Sequence, residues 1–164
     1  ESGMYLGTFI REVDAKGRFL IPSKLKVRLD EVRKDRSASA GELVLTLGFD
    51  RCLYLFPKTQ WTDFVKKEIE SLSELSRDIR ALKRMMAGNA QTAEIDGQGR
   101  LLIPKSFLES HLLLKKNSRR LAVVGAMDHI EIWNEESWLA FSQEMQRDFD
   151  EIAEKISRSG GAAV

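Results

Sequence analysis

The sequence predicts an α+β fold with a mainly β core, built from two copies of one unit. Three observations predict it. The stretch VDAKGRFLIP at residues 13–22 returns as IDGQGRLLIP at 95–104, an offset of 82. Each copy then carries paired apolar runs around a Gly and Asp turn. Each ends on a long stripe of apolar residues spaced by three and four. Internal repetition outranks local propensity in deciding architecture, and two repeats are too few for a solenoid. A fused, pseudo-two-fold pair is expected, with copies at 4–83 and 84–157.

The chain has 164 residues, 43% of them hydrophobic and 31% charged. That is globular composition, long enough for a sizeable core. No apolar run approaches the roughly 20 residues of a membrane span, so no membrane association is expected. Residues 1–3 precede Met4 and read as an expression scar, and no signal peptide is visible. A single cysteine, Cys52, excludes an intrachain disulfide. It lies in the apolar run CLYLFP and reads as a small core residue. Together these features suit the cytoplasm.

The elements follow in order. A strand leads in at residues 5–13, and more weakly at 91–95. After the repeated turn a second strand is expected at 18–21 and 100–103. Pro22 and Pro104 then open short helices, since proline is tolerated at a helix start; Leu25 and Leu29 share one face of the first. LVLTLG turns at Phe49 and Asp50 into CLYLF, and LAVVG turns at Met127 and Asp128 into IEIW, a hairpin signal in each copy. Two long amphipathic helices close the copies, with stripes from Trp61 to Leu82 and from Trp138 to Ile156. The tail at 158–164 has no core-forming pattern and is expected to be flexible.

The repeated turn carries the chemistry. Asp14 and Asp96 can accept hydrogen bonds from amides two or three residues on. Gly17 and Gly99 stand where a tight reversal needs a positive φ. Arg18 and Arg100 begin the next strand, four positions after each Asp, so the pairs can meet across the bend. Asp14, Asp96 and Gly99 are therefore assigned to stabilising the turns. Lys16, Gly17, Arg18 and Arg100 are the candidate DNA-binding residues. A guanidinium held by a carboxylate keeps spare donors that fit a phosphate or the O6/N7 edge of guanine. Charge is segregated in the same sense. Nine basic residues face five acidic ones at 11–36, six face two at 95–120, and two face eight at 131–157. Such segregation orients a molecule before a polyanion.

DAKGRFLIP and DGQGRLLIP, with VLTLGFDRCLYLFPKTQW and VVGAMDHIEIWNEESW, resemble the MraZ family of bacterial transcriptional regulators, within the AbrB-like swapped-hairpin superfamily. The resemblance covers residues 4–156. It implies a duplicated double-split β-barrel with the long helices outside, and subunits assembled into a ring. It implies binding to short G-rich direct repeats upstream of the cell-division and cell-wall gene cluster, mainly as a repressor, in association with the nucleoid. Asp14 and Arg18 match the family's first DxxxR and Asp96 and Arg100 the second. Gln98 replaces Lys16 in the second copy, so the first loop is expected to be the better DNA reader. Leu6 stands where many members place an arginine.

Two other readings compete. In one, the basic loops of a structural or protein-interaction ring meet acidic proteins rather than DNA. In the other, the chain is an enzyme, and little favours it. His111 and His129 sit in different contexts and read as surface or turn residues. No Cys or His pair has metal-ligand spacing, and there is no nucleophile elbow or phosphate loop. Neither a cofactor, a metal nor a small-molecule substrate is expected.

Overall fold

The computed structural model describes residues 3–34 and 42–160. The first two residues of the expected scar, most of the polar connection after residue 34 and residues 161–164 of the expected tail lie outside the described residues. The chain divides into two compact units, Glu1–Asn134 and Glu135–Val164.

The first unit is α+β with antiparallel strands. Its lead-in strand β1 (Thr8–Glu12) is followed by β2 (Arg18–Leu20) and helix α1 (Ser23–Lys34). Pro22 sits just before α1, and its carbonyl accepts from the amides of Leu25 and Lys26. Leu25 and Leu29 of α1 are buried, as their spacing predicts. The first hairpin is β3 (Leu43–Leu47) and β4 (Leu53–Pro57), almost wholly buried on both faces. Such strands read as continuous apolar runs rather than alternating ones. In the second copy come β5 (Gln91–Ala93), β6 (Arg100–Leu102), and the hairpin β7 (Arg120–Gly125) and β8 (Ile130–Asn134).

The copies interleave. The main sheet has the order β1-β7-β8-β4-β3-β5, and β2 and β6 form a separate ribbon. Each lead-in strand pairs with the hairpin of the other copy: Ile10 lies opposite Ala122 and Val44 opposite Thr92. The hairpins meet at β4 and β8, with Tyr54 opposite Glu131. In the ribbon Phe19 lies opposite Leu101. A pseudo-two-fold axis thus runs through both layers. Backbone pairing does not close the sheet into a barrel; β1 and β5 are its edges. One core joins Phe19 and Leu101 of the ribbon to Leu45, Leu55, Val123 and Ile132 of the sheet. Each such side chain contributes roughly 1.5–3 kcal/mol on burial.

The expected first long helix is interrupted. Helix α2 (Lys58–Phe64) continues as one widened turn over Val65–Ile69, where the Glu70 amide donates to the Val65 carbonyl at 2.7 Å. The chain then leaves helical geometry until α3 (Arg77–Gly88). Serines cause the break by offering the backbone local alternatives. Ser73 Oγ accepts from the Leu75 amide, and Ser76 Oγ caps α3 by accepting from Ile79. Leu75, expected on the apolar stripe, is 93% exposed. After Pro104 a short helical turn opens, with the Leu108 amide donating to the Pro104 carbonyl at 3.2 Å, and it widens over Phe107–His111.

The second unit holds α4 (Glu135–Arg147) and α5 (Phe149–Arg158). The predicted continuous helix is split by Asp148, a residue type that favours helix ends. Trp138 and Phe141 stack along α4 at 6.1 Å, whereas Phe149 and Ile156 of α5 are exposed. Among the described residues no helix is long and apolar enough to cross a membrane.

Candidate nucleic-acid interface

The two repeated turns have the same geometry, atom for atom. In the first, the Asp14 amide donates to the Arg18 carbonyl at 2.9 Å and the Gly17 amide to the Asp14 carbonyl at 3.0 Å. Asp14 Oδ1 accepts from the amides of Lys16 and Arg18 at 3.0 and 2.8 Å, and Oδ2 from Arg18 Nε at 2.8 Å. In the second, Asp96 Oδ1 accepts from the amides of Gln98 and Arg100 at 2.9 and 3.0 Å, and Oδ2 from Arg100 Nε at 2.9 Å. Gly17 and Gly99 take φ of 88° and 81°, the left-handed region open to glycine at little cost.

These bonds set the protonation of the aspartates. The amide of Arg18, ahead of its guanidinium, holds the Asp14 carboxyl below its usual range. The amide of Arg100 acts on Asp96 in the same way. Each arginine uses Nε in the clamp. No partner for the two terminal nitrogens occurs among the described residues, so each fork keeps its donors in a constrained position.

Pairing of β2 with β6 places Arg18 opposite Leu102 and Leu20 opposite Arg100. Phe19 and Leu101 turn into the core, while Leu20 and Leu102 are half exposed. Arg18 and Arg100 line one cavity of about 510 Å³, together with Asp96, Glu94 and Gln91. Lys16 and Gly17 line a different one, of about 180 Å³. The site residues are thus divided between two cavities.

Each turn also leans on the other copy. Ile103 donates its amide to the Gly17 carbonyl at 2.8 Å, and Ile21 donates to Gly99 at 3.0 Å. Arg119 grips the first turn, its Nε donating to the Val13 carbonyl at 3.3 Å and Nη2 to that of Asp14 at 3.1 Å. Sequence reasoning missed Arg119 as part of this turn because 105 residues separate it from Asp14. The only sequence signal was the excess of basic residues at 95–120.

The remaining candidates are placed as follows. Cys52 is buried, and burial pushes its thiol pKa up. His111 Nε2 meets the Cys52 carbonyl at 2.9 Å. His129 is more enclosed than a surface turn residue. Its Nδ1 meets Asp128 at 2.7 Å, its Nε2 meets Glu131 at 2.9 Å, and its ring stacks on Phe56. Burial works against its charged form, but hydrogen bonds to Glu131 and then Asp128 outweigh that, and its pKa stands above the ordinary value. Among the described residues no group of three or more His, Cys, Asp or Glu is placed to hold a metal ion.

A family model described as "MraZ protein, putative antitoxin-like" matches residues 4–84 and again 86–158. The chain is 35% identical over 153 residues to a Ligilactobacillus salivarius protein named transcriptional regulator MraZ, covering 93% of this chain and 96% of that one. A Thermomicrobium roseum protein of the same name is 36% identical over 154 residues, covering 94% and 98%. One from Desulforamulus reducens is 29% identical over 153 residues, covering 93% and 97%. With a clamped DxxxR turn in each half and matches across both, the chain belongs to the MraZ family.

Proposed function

We propose that this chain is a sequence-specific DNA-binding transcriptional regulator, not an enzyme. The observation that carries the reading is the pair of equivalent aspartate-clamped arginine turns on one two-stranded ribbon. The clamp makes each guanidinium a rigid donor set. Rigid guanidinium forks suit guanine edges, and a two-fold pair suits the two-fold geometry of duplex DNA. The relatives named as transcriptional regulators support the same reading. The sites are short G-rich direct repeats upstream of the cell-division and cell-wall gene cluster, where the protein acts mainly as a repressor in the cytoplasm, on the nucleoid. Lys16, Gly17 and Arg18 read DNA in the first loop, and Arg100 adds a second, weaker contact. Asp14, Asp96 and Gly99 hold the turns.

We read the sheet and the ribbon as the layers of an AbrB-like, double-split swapped-hairpin barrel, with one copy at 4–83 and the other at 84–157. Subunits assemble as a ring. Linked weak contacts on tandem repeats then gain through effective concentration.

Fluorescence anisotropy tests the reading, on duplexes carrying tandem G-rich repeats or a scrambled sequence, over a salt series. Wild type should prefer the repeats, and Arg18→Ala should remove that preference while the protein stays folded. Absence of binding at low salt would refute the regulator reading. The exposed Leu20 and Leu102 beside the arginines favour a second reading, a protein-interaction ring. In that case Arg18→Ala disperses the assembly and DNA binds weakly throughout.

A further inference from the structure

The cavity behind the first loop is built by the other copy. Its floor is apolar, from Ile103, Leu108 and Leu114, all buried. Its rim carries Lys16, Lys105, Lys116 and Arg119 against one carboxylate, Glu109. Glu109 lies 3.9 Å from Lys105, a loose contact between exposed side chains. Four cations around a concave apolar floor make a local excess of positive charge. The cavity is held in register with the loop by the Ile103–Gly17 backbone bond and by Arg119 on the carbonyls of Val13 and Asp14. At the offset of 82, Lys105 corresponds to Ser23 and Glu109 to Val27, whereas Lys116 corresponds to Lys34.

We infer that this cavity is a seat for one backbone phosphate of the DNA bound by the first loop, held by Lys105 and Lys116. The inference rests on the DNA-binding reading above and deepens it. The seat supplies affinity without sequence information, as phosphate contacts do. It fixes where the duplex lies against Arg18. The loop it stands beside is the one that carries Lys16.

The same two duplexes and salt series test it, with the double variant Lys105→Gln/Lys116→Gln. Lys66→Gln/Lys67→Gln, on the exposed turn after α2, controls for loss of charge alone, and thermal melts check that both variants fold. The double variant should weaken binding to repeats and scrambled DNA by the same factor. Its slope of log affinity against log salt should be shallower by about 0.9, the value for one phosphate. The preference ratio should stay as in wild type, and the control should leave slope and ratio unchanged. An unchanged slope in the double variant, or an equal change in the control, overturns the seat while leaving the DNA-binding reading standing. Wild type that binds neither duplex overturns both.

Discussion

Gly17 and Gly99 occupy the same place in two equivalent turns, yet their surroundings differ. A Cβ on Gly17 would lie 2.7 Å from the Ile103 carbonyl oxygen, whereas one on Gly99 would meet only Leu20 Cδ1 at 3.5 Å. Both substitutions carry the left-handed penalty of roughly 1–2 kcal/mol, and Gly17→Ala adds a backbone clash. Thermal melts should therefore show a larger loss for Gly17→Ala than for Gly99→Ala; equal losses would mean that φ alone decides. His129 gives a pH-dependent case. Its folded pKa is raised, so its contribution is complete below the ordinary imidazole value of about 6.5. It is lost as pH rises through the higher folded value. The melting-temperature gap between wild type and His129→Gln should be wider at pH 6 than at pH 9, and a constant gap would refute this. Much of the turn was legible in the sequence, since the four-residue step from Asp to Arg is local. Arg119 was not, because nothing local tells a basic residue which of two turns it will reach.

The secondary elements show the same limit. Hairpins β3–β4 and β7–β8 were readable because β-branched, aromatic and leucine runs flank Gly and Asp turns. The breaks at residues 70–76 and at Asp148 were not. The apolar stripe keeps its helical period through the serines, while their hydroxyls redirect the backbone. A buried polar contact joins α3 to the sheet beside the buried Met86 side chain. Thr46 Oγ1, fully buried in β3, donates to the Met86 carbonyl at 2.7 Å. Met86 lies in the last turn of α3, where carbonyls lack a helical partner. Thr46→Val keeps the shape but leaves that carbonyl unsatisfied, a cost of about 1–3 kcal/mol. Lower melting with little change in DNA affinity is the expected result. Unaltered melting would show that water replaces the hydroxyl.

At the scale of the molecule, the duplication predicts two copies but not that they interleave. Pattern and spacing act within a copy, whereas the pairings β1–β7, β3–β5, β4–β8 and β2–β6 all cross between copies. Fragments 4–83 and 84–157, purified separately, should each lack a cooperative unfolding transition and regain one when refolded together. A cooperative melt from either fragment alone would refute this interdependence. Long-range pairing also delays folding, since loop closure must precede the contacts that offset it. The crossed bonds Ile103–Gly17 and Ile21–Gly99 tie the two halves together in the same way. After the duplication, neither turn was free to drift alone, because the wall behind each is encoded in the opposite half of the gene. Divergence in such a chain proceeds by reciprocal substitution. A change at residue 103 or 105 selects for its answer near residue 17, so covariation should run between the halves more strongly than within them.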